Sequence, residues 1–130
     1  MNSISIIGGG IGGLTLGNVL KQQNIDFKIY ESAPEIKTVG AGIAMAGNAM
    51  QIFDKLGLKE KIENAGTKMH ALIITDENLK TISKTDVLKL ESKYNVCNIA
   101  IHRADLQKIL SENISEHIIL NKRLSTIEKK

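Results

Sequence analysis

The stretch Ile6-Ile7-Gly8-Gly9-Gly10-Ile11-Gly12-Gly13-Leu14 decides how this chain is read. Gly8, Gly10 and Gly13 fill a G-x-G-x-x-G pattern. Just before it, Ser3 to Ile7 is a short β-branched run ending at Gly8, which fits a buried parallel strand. Just after it, Leu14 to Gln23 predicts a helix. Leu14, Leu16, Val19 and Leu20 form its apolar stripe, and Asn24 is its C-terminal cap. Asp26 to Tyr30 predicts a second strand, with Glu31 at its carboxyl end. Ser3 to Tyr30 is therefore a βαβ unit, whose right-handed crossover sets the two strands side by side and parallel.

This arrangement has a chemical purpose. Gly8 permits the tight turn out of the strand. Gly10 has no side chain, so a diphosphate can approach the backbone. Gly13 lets the helix pack against the strand. The unpaired N–H groups of the helix N-terminus, with its partial positive charge, then meet phosphate oxygens. Glu31, about 20 residues on, suits ribose hydroxyls and repels a 2′-phosphate, which argues against NADP at this site. The competing reading is a glycine-rich turn without a ligand and a solvated carboxylate.

Outward from this unit the pattern changes. Ser32 to Gly47 reads as a long connection containing Gly40, Gly42 and Gly47. Asn48 to Leu56 predicts a helix with Asn48 as N-cap and Gly57 as terminator. Lys59 to Asn64 predicts a short helix ending before Gly66. Met69 to Thr75 and Lys80 to Ser83 predict a hairpin about Asp76-Glu77-Asn78. Thr85 to Val96 is polar and ambiguous. Asn98 to His102 predicts a short strand, Ala104 to Asn113 a helix, and His117 to Leu120 a further strand. A dehydrogenase-type domain would continue directly from the second strand with another helix and strand. The interruption here favours a flavoprotein arrangement.

Composition narrows the remaining classes. The chain has 130 residues, 42% hydrophobic and 24% charged, with a net charge of +3. These values fit one ordinary globular domain, or a piece of one, and argue against disorder. The basic residues are scattered, apart from Lys122-Arg123 and Lys129-Lys130. There is no Trp, and two Tyr and two Phe give few stacking platforms, so nucleic-acid binding is not expected. No apolar run approaches the roughly 18 residues needed to cross a bilayer. No basic leader precedes the first strand, and Cys97 is the single cysteine, so a reducing, cytoplasmic setting is expected. His70, His102 and His117 are scattered, and the His102–Asp105 spacing lacks the further ligands a metal needs. Cys97 reads as a small buried hydrophobe. Met45, Met50 and Met69 read as core fillers.

Three stretches taken together resemble the single-component FAD-dependent aromatic hydroxylases, the group of para-hydroxybenzoate hydroxylase. They are Ile6 to Leu14 with Glu31, Gly40 to Ala49 running into Leu56-Gly57-Leu58, and His102-Arg103-Ala104-Asp105-Leu106-Gln107 with Leu110. The resemblance implies an α/β fold: a Rossmann-like FAD-binding βαβ parallel sheet with an inserted β-hairpin, as an incomplete domain. Residues 1–130 would be the N-terminal part of that FAD-binding domain, and 69–83 the start of a substrate-side sheet. The implied cofactor contacts are Gly8, Gly10, Ile11, Gly12, Gly13 and Glu31 for the adenosine diphosphate part and Gly42 and Ala44 along the flavin. Arg103 would reach the diphosphate or ribitol, and Leu124 the adenine end. The implied reaction is reduction of FAD by NAD(P)H, capture of O2 as a flavin hydroperoxide, and oxygen transfer to an aromatic or similar small molecule. Ser32, Gly47 and Lys37 stand where many or some relatives carry Arg, Pro and Arg.

The later segments with which such enzymes complete their cofactor site are missing from this sequence. The chain alone is therefore expected to be catalytically silent. An apolar hairpin face at Leu72, Ile73 or Ile74 and open strand edges are expected to make it self-associate. Two other readings stay open: another FAD oxidoreductase (reductase or halogenase) on the same fold, and a non-redox dinucleotide-binding or interaction module.

Overall fold

A computed structural model describes residues 3–36, 40–95 and 97–128. Lys37, Val96 and the Lys129-Lys130 pair lie outside the described residues. In chain order the elements are β1 (Ile4–Ile7), α1 (Ile11–Gln22), β2 (Phe27–Tyr30), β3 (Gly42–Met45), α2 (Gly47–Lys55), α3 (Lys59–Ala65), β4 (Thr67–Lys68), β5 (Ala71–Thr75), β6 (Thr81–Asp86), α4 (Val87–Tyr94), β7 (Ile99–His102), α5 (Arg103–Glu112) and β8 (Ile118–Ile119). They form two units: Met1–Gly40 with Arg103–Lys130, and Ala41–His102.

The first unit is α/β. β1 and β2 pair in parallel from Ile4 opposite Phe27 to Ile7 opposite Tyr30. β8 adds in parallel on the far side of β2, giving the order β1-β2-β8. One face of this sheet carries the core. Ile6, Phe27 and Ile29 are buried with Leu14 and Leu20 of α1 and Leu106, Ile109 and Leu110 of α5. The predicted βαβ unit is present, but α1 starts at Ile11, three residues before the predicted Leu14. Its glycines lower helix propensity without preventing a first turn. The stripe differs as well. Leu14, Gly17, Asn18 and Leu20 are the buried positions, and Leu16 points outward at 45% exposure. The reason is close approach of neighbours. A methyl at Gly17 would come within 2.8 Å of Ile114, 2.9 Å of Ile29 and 3.0 Å of Phe27. Asn18 donates to the carbonyls of Leu14 (2.9 Å) and Leu110 (2.7 Å), tying α1 to α5. Asn24 takes a left-handed φ of 55° just past the helix end, as a C-terminal cap residue does. β8 is shorter than predicted, because Ser115–His117 forms a 3₁₀ turn instead.

In the second unit β7 is the middle strand of an antiparallel sheet ordered β3-β7-β4. β3 corrects the sequence reading, which took Ser32 to Gly47 as a connection. Its glycines read as turn signals, and its partner β7 lies more than fifty residues away in the chain. Met45, Met50, Phe53, Leu58, Ile62, Ile99 and Ile101 are buried, whereas Met69 is only half-buried. The N-cap of α2 is Ala46 rather than Asn48, which sits inside the first turn. Gly57 closes that helix at φ +69°. The ambiguous polar segment becomes the end of β6 and then α4, where the Asp86 carboxylate accepts from Leu88 N–H at 3.0 Å as an N-cap. The hairpin β5–β6 turns where predicted, with Asp76 accepting from the N–H groups of Asn78 and Lys80. Leu72, Ile73 and Ile74 are each about half exposed, so the hairpin shows apolar side chains on both faces.

Candidate nucleotide-binding site

Gly8 leaves β1 at φ +103°, a conformation that glycine adopts and L side chains resist. Its N–H donates to the Tyr30 carbonyl, which keeps the turn attached to β2. The chain then enters α1 at Gly10, which offers no side-chain cap, and the first turn holds no acidic residue. Leu14 N–H to the Gly10 carbonyl is the first helical bond, so the N–H groups of Ile11, Gly12 and Gly13 have no partner within the helix. Gly13 is needed for packing: a methyl there would lie 2.0 Å from the Gly8 carbonyl oxygen. At Gly10 and Gly12 a methyl would meet nothing within 4 Å. The space above the helix N-terminus is therefore open, and the partial positive charge faces it.

Glu31 stands at the mouth of this cradle. Its Oε2 accepts from Gly9 N–H at 2.6 Å, and its Oε1 accepts from Ala33 N–H at 2.8 Å and Ser32 Oγ at 3.2 Å. The Ala33 N–H, then the Gly9 N–H, hold the carboxyl below the ordinary carboxylate range. An ionised carboxylate has about four acceptor positions, so one remains for a ribose hydroxyl. A cavity of about 280 Å³ is lined by Gly9, Gly10, Glu31, Ala33, Ile36, Arg103 and Gln107. Arg103 opens α5, is exposed, and has no hydrogen-bond or ion-pair partner among the described residues. A smaller cavity of about 190 Å³ adjoins the same carboxylate, lined by Gly8, Tyr30, Lys122, Arg123 and Leu124 among others.

Of the ten residues singled out from sequence, Gly8, Gly10, Ile11, Gly12, Gly13, Glu31, Arg103 and Leu124 all fall in the first unit. Gly10, Glu31 and Arg103 share one cavity, and Gly8, Glu31 and Leu124 the other. Gly42 and Ala44 belong to the second unit and lie on β3, not on a loop. Both are exposed on one face of that strand, opposite His102 and Ala100 of β7. Gln107 and Ile36 were not given a role from sequence. The signal for Gln107 was its spacing of four residues from Arg103 on one helix, which puts both on the same face. Ile36 gave none, since it lies in an irregular segment.

The donor set fits a dinucleotide. Helix N–H groups without a partner in the helix and a guanidinium without a partner among the described residues suit a diphosphate, and a carboxylate with an acceptor position in reserve suits a ribose. The open space at Gly10 and Gly12 accommodates such a group.

The comparisons with known proteins agree. Aurachin C monooxygenase/isomerase of Stigmatella aurantiaca is 40% identical over 114 residues, covering 88% of this chain and 30% of that protein. The 3-amino-4-hydroxybenzoate 2-monooxygenase of Streptomyces cremeus is 30% identical over 83% of this chain and 28% of its own length. The crystal structure of Klebsiella pneumoniae HpxO complexed with FAD and uric acid superimposes with a TM-score of 0.83 at 25% identity. That match covers 98% of this chain and 33% of HpxO. The chain thus spans about a third of the length of these relatives. Residues 1–126 match the family described as FAD binding domain, and the chain belongs to that family.

Proposed function

We propose that this chain is the cofactor-holding part of an NAD(P)H-dependent flavoprotein monooxygenase that acts on an aromatic or similar small molecule. One observation carries the reading: Glu31 faces the open helix N-terminus at Gly10, in one cavity with Arg103, which has no polar partner among the described residues. In this reading the backbone at Gly10, Ile11, Gly12 and Gly13 binds the FAD diphosphate, and Gly8, whose N–H is held by the Tyr30 carbonyl, shapes the turn that borders it. Glu31 orients the adenosine ribose, Arg103 neutralises phosphate charge, and the Leu124 segment borders the adenine. Gly42 and Ala44 contact the flavin end, an assignment that rests on the resemblance and on the side-chain-poor face of β3. FAD supplies the chemistry when bound, taking electrons from NAD(P)H and delivering an oxygen atom of O2 to the ring. The chain's residues bind and orient it.

Residues 1–130 are proposed as the N-terminal part of the FAD-binding domain, with 69–83 beginning a substrate-side sheet. The setting is proposed as cytoplasmic. Among the described residues no helix is long and apolar enough to cross a membrane. Self-association belongs to the same reading, because the β5–β6 hairpin exposes Leu72, Ile73, Ile74 and Ile82. Sedimentation that shows a monomer at all concentrations would refute that part.

The test of binding is titration with FAD and, separately, NAD, followed by flavin fluorescence and calorimetry. Saturable FAD binding that Glu31→Ala weakens supports the reading. Binding of NAD without FAD overturns it.

A further inference from the structure

The exposed Arg103 guanidinium has no polar partner among the described residues. An arginine stem left to itself samples many rotamers, and holding it costs entropy when a ligand binds. Here, however, the chain at Gly40 passes close beside that stem. Gly40 sits at φ +153°, and a methyl on it would stand 3.0 Å from Arg103 Cδ, 3.3 Å from Cβ and 3.5 Å from Cγ. Cβ, Cγ and Cδ of the Arg103 stem thus all lie on the side of Gly40 where a side chain would project. Glycine is required there twice over. L side chains rarely adopt that φ, and a methyl there would press the Arg103 stem aside by a few tenths of an ångström.

We propose that Gly40 is a positioning residue. Its bare backbone is a wall that keeps the Arg103 stem in place, so that the guanidinium is presented to the diphosphate of the nucleotide over the α1 N-terminus. The inference rests on the diphosphate reading of the cavity and adds to it. The sequence segment at Gly40 then serves the phosphate end of the site through Arg103, apart from any contact that Gly42 and Ala44 make with the flavin.

A double-mutant cycle tests this, with ADP as the charged probe and adenosine as the uncharged one, both measured by calorimetry on the 130-residue chain. Arg103→Ala is expected to weaken ADP about tenfold or more, the loss of a charge-assisted bond. Gly40→Ala should weaken ADP about fivefold to tenfold and leave adenosine unchanged. The double variant should bind ADP no more weakly than Arg103→Ala alone. The inference is overturned if Gly40→Ala binds ADP as the parent does, if the two losses multiply, or if adenosine falls in step with ADP. Urea unfolding of the same four proteins covers the case in which Gly40→Ala folds poorly. Adding Arg103→Ala should then recover part of the stability, since Cδ and Cγ no longer crowd the new methyl, and no recovery would overturn the inference. A parent that binds neither ADP nor FAD would refute the site itself. A parent that binds both, with independent effects at residues 40 and 103, would refute only the role of Gly40.

Discussion

Two glycines of one turn should respond oppositely to the same methyl group. At Gly13 the added carbon would sit 2.0 Å from the Gly8 carbonyl oxygen, about 1.4 Å short of the 3.4 Å at which ordinary contact begins. It would also stand 3.2 Å from Ile6 Cγ2. The obstacle is backbone, so no rotamer change relieves it, and α1 must move away from β1. Overpacking of this kind costs about 1–3 kcal/mol, occasionally more, and Gly13→Ala belongs at or above the upper end. At Gly10 a methyl meets nothing within 4 Å, and φ is −75°, which alanine adopts freely. Alanine is a worse N-cap than glycine by some tenths of a kcal/mol, and its stiffer unfolded chain offsets about as much. Gly10→Ala should therefore unfold within about 0.5 kcal/mol of the parent. It should nevertheless bind FAD a hundredfold or more weakly, because the methyl occupies the approach to the N–H groups. Losing two charge-assisted bonds at about 1.5–3 kcal/mol each accounts for that factor. Urea unfolding followed by circular dichroism gives the first quantity, and flavin fluorescence titration gives the second. A Gly13→Ala protein as stable as the parent would refute the packing argument. A Gly10→Ala protein that binds FAD normally would refute the cradle.

Other residues give separate checks. Asn18→Leu removes the donor to the Leu110 carbonyl inside the core and should cost about 1–3 kcal/mol in urea unfolding, with a reduced midpoint. Glu31 is held below its ordinary range by the Ala33 and Gly9 N–H groups, so it stabilises the fold above its unfolded value near 4.5. That contribution, and nucleotide affinity with it, should fade as pH falls below about 4.5, and Glu31→Gln should flatten the profile. For Cys97 the sign is reversed. Burial, then the Glu63 carboxylate 2.8 Å away, pushes the thiol up to about 11 from 9.0. The neutral thiol is favoured in the fold, so its stabilisation is complete below pH 9 and lost as pH rises towards 11. A thiol reagent at pH 8 should accordingly react far more slowly with the folded chain than with the urea-unfolded one, and equal rates would refute the burial argument.

The sequence by itself determined the strand–helix–strand order of the first thirty residues and pointed to the ligand proposed for them. The roles proposed for Gly8, Gly10, Gly13 and Glu31 rest on local chemistry: a positive φ, a missing Cβ, and a carboxylate at a strand end. Local rules act on neighbours in the chain and so can be read from the chain. The same is true of the Asp76 turn and the cap at Gly57. Tertiary structure decided the rest. β3 exists because β7, far along the chain, pairs with it, although Gly40, Gly42 and Gly47 look like loop residues. Gly17 and Asn18 form the buried stripe of α1, in place of Leu16, because Phe27, Ile29, Ile114 and the Leu110 carbonyl come up against them. Arg103 lines the cavity, with Gly40 beside its stem, only because the fold returns residue 103 to the end of β1. A residue's own preferences are weak beside a partner that approaches from elsewhere, and that partner is visible only in three dimensions.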